Sequence, residues 1–245
     1  MITRYELSRI LLEFLMPALY LHVRHDLAHF IMDSHKQPFQ LLDVGGRKSP
    51  YTVGLRADVS IIDLPRQDEL QENLKLGLTK KLLMDLKRTR SNIKSVTIGD
   101  MLENKFPDRS FDGSVCIEVI EHVDQDVNFL KQIYRVLKPG GWLYLSTPNG
   151  DYIKNEPPHF NPDHKLHYKK DELDKLLSGI FGEANTWYGI KTGKNRFVGL
   201  RSMDPTKPFE VLTIFLHNLL SNVESINLKH QSNRTAHIFA LAKKN

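Results

Sequence analysis

The chain has 245 residues, 40% of them hydrophobic and 26% charged. That is enough apolar material for one sizeable core, and the charge bias is too small for a disordered chain. Its single cysteine, Cys116, cannot form an internal disulfide and lies in an apolar run, so a reducing, cytoplasmic setting is expected. The net charge of +5 permits an anionic partner. Lys and Arg are nevertheless spread along the whole chain, which argues against a dedicated nucleic-acid surface.

No basic segment followed by a clean apolar stretch opens the chain, so no signal peptide is expected. The most apolar early segment, 10–23, is broken by Glu13 and Pro17 and is too short to span a bilayer. Apolar residues at Leu7, Ile10, Leu11, Phe14, Leu15, Ala18 and Leu21 follow a helical period over 4–33, with a kink or division expected at Pro17. Residues 39–44 form a short apolar run ending in Gly45-Gly46, the pattern of a buried strand entering a tight turn. A second strand is expected over 59–64, with Asp63 near its end, then a helix over 67–90 and a third strand over 95–98, followed by Gly99-Asp100.

A fourth strand is expected over 113–119. An amphipathic helix over 124–137 follows, stopped by Lys138-Pro139-Gly140-Gly141, and then a fifth strand over 142–146. Strands alternating with helices at this spacing imply parallel crossovers, hence an α/β fold with helices on both faces of the sheet. Residues 148–169 are rich in Pro, Asn and His and too long for an ordinary connection, which predicts a functional loop or lid. Helices over 170–178 and 208–222 and strands over 184–190 and 236–242 complete the chain. No composition break divides it, so the expected organisation is an N-terminal helical extension, 1–36, and one domain, 37–245.

Several of these segments resemble one family. Leu41-Leu42-Asp43-Val44-Gly45-Gly46 is similar to the first cofactor motif of class I S-adenosylmethionine (SAM)-dependent methyltransferases. Phe106-Pro107-Asp108-Arg109-Ser110-Phe111-Asp112 resembles the segment before that family's fourth strand, and Glu118-Val119-Ile120-Glu121-His122-Val123 the signature that ends it. Leu137-Lys138-Pro139-Gly140-Gly141 and Ser146-Thr147-Pro148-Asn149 match the two ends of the fifth strand. Their order over about 110 residues, each beside an expected strand end, carries the resemblance; any one alone is weak. The nearest group is the broad small-molecule one that includes ubiquinone-type O-methyltransferases.

The resemblance implies a Rossmann-like, seven-stranded, mostly parallel sheet with an antiparallel last strand, and SAM bound beyond the strand ends. In such sheets ligands sit at the switch in strand order. It implies that Asp43, Gly45 and Gly46 wall the methionine part of SAM and that Asp63 accepts hydrogen bonds from both ribose hydroxyls. It also implies that Asp100 faces the adenine amine while the Met101 amide contacts the ring, and that the Glu118 main-chain carbonyl receives the SAM amine. The glycine loop departs from the family pattern, since Arg47, Lys48 and Ser49 follow Gly46 and the spacing from Asp43 to Asp63 is short. The first crossover must therefore be abbreviated.

Transfer to a hydroxyl needs a base, and His159, His164 and His167 all lie in the 148–169 loop. His164 aligns best with a histidine of the relatives, and His164 and His167 are the catalytic candidates. Glu121 and His122 are candidates for orienting the substrate, with a structural role equally open for His122. No Cys/His spacing of metal type is present, and no metal is expected. The expected activity is SAM-dependent methyl transfer, at oxygen, to a small-molecule, sugar or lipid-linked acceptor. The alternatives are an RNA methyltransferase and a non-catalytic SAM-binding protein. The apolar helices over 4–33 and 208–222 fit an acceptor wall, a peripheral membrane contact or core packing.

Overall fold

A computed structural model of the chain describes residues 2–46, 49–65, 79–157, 160–192 and 206–245. Two helices open it, α1 (Arg4–Leu11) and α2 (Ala18–Asp33), separated by a single 3-10 turn at Glu13–Leu15. The division falls where Pro17 predicts it. Proline cannot donate into a continuous helix, and here it caps α2 instead.

Seven strands follow: β1 (Phe39–Val44), β2 (Ala57–Asp63), β3 (Ile93–Ile98), β4 (Phe111–Ile117), β5 (Leu137–Pro148), β6 (Gly182–Lys191) and β7 (Thr235–Lys244). They form one sheet in the order β3-β2-β1-β4-β5-β7-β6. The first five run parallel, and β7 lies antiparallel between β5 and β6. Among the described residues four more helices are α3 (Lys80–Thr89), α4 (Asp126–Val136), α5 (Lys170–Phe181) and α6 (Pro208–Glu224). The expected helix over 67–90 is described only from 79 onward, its first part lying outside the described residues.

Side chains alternate across the sheet as a period of two demands. Phe39 and Leu41 of β1 join Val23, Leu27 and Ile31 of α2 on one face, while Leu42 and Val44 join Leu130 and Ile133 of α4 and Leu173 and Leu177 of α5 on the other. Trp142 and Tyr144 of β5 repeat the first choice, and Leu143 and Leu145 the second. Each such fully buried side chain contributes roughly 1.5–3 kcal/mol, so both helical layers are held by the sheet they cover. Helix α2 thus covers one face of the sheet.

The lower edge of the sheet is pinned by Asp112, whose carboxylate accepts Lys138 Nζ at 2.9 Å and the Gln40 amide at 2.9 Å, with Lys36 Nζ at 3.3 Å. Burial raises this carboxyl, but those donors overcome it and hold it below the usual carboxylate value. The segment before β4 is therefore scaffold. Arg135 of α4 reaches back to it, donating to the Phe106 carbonyl at 2.8 Å and to Asp108 at 2.6 Å.

Helix α6 is turned the opposite way from an ordinary amphipathic helix. Its buried residues are Asn218 and Ser221, and Asn218 and Asn222 donate to the carbonyls of Leu15 and Met16. Phe209, Leu212, Leu216, Leu220 and Val223, spaced along one stripe, are exposed, Phe209 at 85% and Val223 at 67%. No helix among the described residues is long and apolar enough to cross a membrane.

Candidate active site

Because β1 to β5 are parallel, their carboxyl ends share one edge, and the strand order reverses between β1 and β4. That crevice is where an open α/β sheet receives a ligand. Asp43, Asp63, Asp100 and Glu118 all stand along it, at or just past the ends of β1, β2, β3 and β4.

Asp43 is buried and accepts the Thr52 hydroxyl at 2.9 Å. Burial pushes its carboxyl up to about 6, against the pull of that hydroxyl and of Arg90. The chain then turns sharply. Gly45 has φ +72 and would place a Cβ 2.5 Å from Val119, and a Cβ on Gly46 would fall 2.4 Å from the Asp43 carboxyl carbon. Only glycine leaves the backbone bare over the acid. The crossover to β2 is short as expected: residues 49–56 form turns with no helix, and Arg47 and Lys48 lie outside the described residues.

Asp63 ends β2, where its carboxylate accepts the Leu64 amide and its carbonyl accepts the Gly99 amide at 2.9 Å. Asp100 caps the 3-10 turn Met101–Glu103 by accepting the Leu102 amide at 2.8 Å. That fixes one carboxylate oxygen as a cap, while the Met101 side chain is buried in the core.

Glu118 leaves β4 with φ 53, a left-handed conformation costly for a side-chain-bearing residue. The turn is held by its amide, which donates to the Ser146 carbonyl at 3.0 Å, and by the Ser146 hydroxyl, which donates to its carboxylate at 2.7 Å. His237 Nδ1 stands 3.1 Å from the same carboxylate. Burial raises the Glu118 carboxyl, but His237 and Ser146 outweigh it and keep it below its ordinary value.

Three residues on, Glu121 is buried and its Oε2 accepts the Thr147 hydroxyl at 3.2 Å. Burial and the neighbouring Glu118 push its carboxyl well up. His122, beside it, is partly exposed, with Nδ1 3.0 Å from the Asp163 carbonyl.

The described part of the 148–169 loop is tied down rather than hanging as a lid. Lys165 and Leu166 donate their amides to the Glu121 carbonyl, Gly150 donates to the Tyr168 carbonyl, and Asn149 bonds to Ser232 and Thr235 at the start of β7. Asn149, Asn155 and Asn161 bond to backbone groups, so the described part of the loop forms a wall. It brings His164 and His167 together, Nδ1 of the first 2.7 Å from Nε2 of the second, and His167 Nδ1 lies 2.8 Å from the Ile153 carbonyl.

That chain has one sense. A carbonyl only accepts, so His167 carries its proton on Nδ1 and accepts at Nε2, and His164 donates from Nδ1. The Nε2 lone pair of His164 is left free. Burial and the adjacent His122 and His167 rings push His164 down to about 4, which keeps it neutral at pH 7. His159 lies outside the described residues.

A cleft of about 790 Å³ opens over this wall, lined by Glu118, Tyr152, Asn161, His164, His167 and His237. A second, of about 710 Å³, lies between the α1–α2 turn and β6, with Glu13, His22, His25 and Lys229 in its lining. The first is the one that adjoins the switch in strand order, through Glu118 at the end of β4. Sequence reading missed His237, whose buried ring faces that cleft from β7; the available signal was one histidine inside the otherwise apolar strand 236–242. It also missed the roles of Ser146 and Thr147.

A family model described as a methyltransferase domain matches residues 74–145. The chain is 33% identical over 107 residues to a probable SAM-dependent methyltransferase of Mycolicibacterium smegmatis, covering 43% of this chain and 40% of that protein. It is 25% identical over 175 residues to a ubiquinone biosynthesis O-methyltransferase of Rickettsia akari, covering 66% and 65%. The chain thus spans less than two thirds of the length of these relatives. Among solved structures it is similar to a SAM-dependent methyltransferase of Thermotoga maritima described as a possible histamine N-methyltransferase, with TM-score 0.58, 16% identity, and 92% and 89% of the two chains covered. A Burkholderia thailandensis N-methyltransferase holding S-adenosylhomocysteine gives TM-score 0.53 at 13% identity, covering 91% and 78%. At these identities the structures establish the fold.

The buried acid generates a test. The folded-state value of Asp43, about 6, lies above its ordinary 3.8. The folded state therefore holds the proton more tightly, and stability falls as pH rises between those values, by up to about 3 kcal/mol. Asp43→Asn, which keeps an acceptor for Thr52, removes that loss. Thermal melts of wild type and variant are expected to diverge from pH 4 to pH 6, with the variant gaining, and to run parallel above. Parallel curves throughout would mean that Asp43 is not held in this way.

Proposed function

We propose that this chain, which carries a SAM-dependent methyltransferase domain of the class I fold, transfers a methyl group from SAM to the hydroxyl of a small-molecule or lipid-linked acceptor. The observation that carries the cofactor half is the Gly45–Gly46 turn over the buried carboxylate of Asp43. It is a bare backbone cradle beside an acid that a cationic ligand would relieve, and SAM offers an ammonium and a sulfonium. In this reading Asp43, Gly45 and Gly46 wall the methionine part, Asp63 takes the ribose hydroxyls, and Asp100 with the Met101 amide meets the adenine. The Glu118 carbonyl receives the amine. Residues 37–245 carry the site, and 1–36 supply α2 as cover.

SAM supplies an activated methyl on a good leaving group, so the protein's share is alignment and exclusion of water. His164 lines the cleft with its Nε2 lone pair free, beside the place where the acceptor enters; His167 fixes its tautomer. Both stand on a hydrogen-bonded wall, which suits a positioning role better than a mobile segment would.

Calorimetry with SAM and S-adenosylhomocysteine tests the cofactor site. Wild type is expected to bind both, and Asp63→Ala to lose about 30- to 150-fold, the equivalent of about 2–3 kcal/mol for a carboxylate bonded to two hydroxyls. Binding unchanged by the substitution removes Asp63 from the site. Absence of binding by wild type at millimolar ligand removes the reading.

The outward apolar stripe of α6 favours the lipid-linked form of the acceptor. A helix that buries Asn218 and Ser221 and exposes Phe209, Leu216 and Val223 has the build of an interfacial helix, and the net positive charge suits an anionic bilayer. The full chain is expected to sediment with mixed phosphatidylcholine–phosphatidylserine vesicles. Phe209→Ser, Leu216→Ser and Val223→Ser together should lower the bound fraction at least roughly 10-fold, given about 1.5 kcal/mol or more per buried side chain, without lowering the melting temperature. Vesicle binding that survives the triple change would place the contact elsewhere.

A further inference from the structure

We infer that Glu121, His122 and His164 form a site for one divalent first-row transition cation, placed to bind the oxygen of the acceptor. This rests on the methyl-transfer reading and gives its acceptor half a mechanism. Each residue offers one ligand atom, and the three atoms lie within 4.8 Å of one another. Among the described residues this is the only such grouping of three. Around an ion with bonds of about 2.0–2.2 Å, ligand atoms stand roughly 3.4 Å apart, so closure needs side-chain shifts of only about 1 Å.

Proximity alone would be weak, since polar side chains often cluster. The stronger observation is that every one of the three is oriented by a second partner that leaves one ligand atom facing the others. Thr147 donates to Oε2 of Glu121, and Oε1 is the oxygen turned toward His122, 4.0 Å from its Nε2. The Asp163 carbonyl lies 3.0 Å from Nδ1 of His122, which places the proton there and the lone pair on Nε2. His167, itself anchored on the Ile153 carbonyl, takes the Nδ1 proton of His164 and leaves its Nε2 bare. A histidine held through one nitrogen by a carbonyl or a second acceptor, with the other nitrogen free, is the arrangement in which metal-bound imidazoles are found.

The His122 and His164 rings meet edge to face, with centroids 4.7 Å apart. Two imidazoles and one carboxylate suit Zn²⁺, Mn²⁺, Fe²⁺ or Co²⁺ better than the all-oxygen cations Mg²⁺ and Ca²⁺. Three protein ligands leave coordination positions for substrate. His164 lines the 790 Å³ cleft together with Glu118, so an open position there faces the acceptor.

The chemistry then balances without a dedicated base. A hydroxyl bound to the cation loses its proton to water in the cleft, because the metal lowers its pKa. The resulting oxygen attacks the methyl carbon; the C–O bond forms as the C–S bond breaks, and the sulfonium becomes a neutral thioether. His164 is a ligand in this step, and His167 is the positioning residue behind it.

The test is calorimetric titration of the chelator-treated full-length protein with ZnCl₂, repeated with MnCl₂. One equivalent is expected to bind wild type. His122→Ala and Glu121→Gln should each weaken that site at least roughly 100-fold, and His167→Ala about 10- to 100-fold, the range for a lost outer partner. His25→Ala, at an exposed position on α2, should change nothing. His122 is partly exposed, so its variant is expected to fold even if the buried Glu121 substitution does not. Absence of a one-equivalent site, or one that survives His122→Ala, overturns the proposal. SAM titrated into wild type and into the His122→Ala protein separates the two readings. Wild type that binds SAM but shows no one-equivalent cation site sinks only the cation, whereas absence of SAM binding by wild type sinks the methyltransferase reading itself.

Discussion

Two glutamates three residues apart, at the point where β4 ends, are the constraint around which the site is built. Glu121 is buried and Glu118 half-buried at the edge of the cleft, and placing two carboxylates so close pushes the Glu121 carboxyl up. Each is held by a hydroxyl from the neighbouring strand, Ser146 for the first and Thr147 for the second. Successive residues of a strand point to opposite faces, so two adjacent hydroxyls can serve two acids on different sides of the β5 end. The left-handed backbone at Glu118 is stabilised by the same strand, through the bond from its amide to the Ser146 carbonyl. The strain is local, and the parallel β4–β5 pairing offsets it.

From that point the loop after β5 becomes intelligible. Its amides at Lys165 and Leu166 satisfy the Glu121 carbonyl, which the irregular turn after β4 would otherwise leave exposed. Its Asn149 joins β5 to the start of β7. A segment of this length and composition reads as a lid in sequence, because Pro, Asn and His are loop formers and nothing in their spacing discloses partners. Asparagine is the reason it is not one. The side chains of Asn149, Asn155 and Asn161 each bond to backbone groups, that of Asn161 by accepting the Asp163 amide, supplying locally the bonds that a helix or strand would have provided.

The sheet was legible because its signals are local. Alternation in β1 and β5, the Gly-Gly stop before Trp142 and the proline at 17 each act within a few residues, and the strand count and the helical faces follow from them. The acids and glycines along the carboxyl edge were legible for the same reason, since they are adjacent to the strands that place them. The histidines facing the cleft were not. His122 and His164 are far apart in the chain and meet only because the loop after β5 folds back on the turn after β4, and His237 arrives from the last strand. A rule that looks for metal ligands at short spacings has nothing to find in such a set.

Helix α6 marks a different limit. Its sequence shows an apolar periodicity, which ordinarily predicts the buried face. Here the face that docks carries Asn218, Ser221 and Asn222 beside partly buried Val211, Ile214 and Phe215, because the 3-10 turn at Glu13–Leu15 and the residue after it present bare carbonyls that Asn218 and Asn222 can satisfy. An unpaired buried carbonyl costs about 1–3 kcal/mol, comparable to burying one leucine. Two such carbonyls therefore weigh against two of the apolar contacts that the opposite orientation would gain, and the remaining apolar residues need a further environment to make the arrangement favourable. Periodicity fixes that a helix has two faces; which face turns inward is decided by what the surface beneath it lacks. In this chain that surface is the break between α1 and α2, so the same proline that divides the first helix also orients the last one.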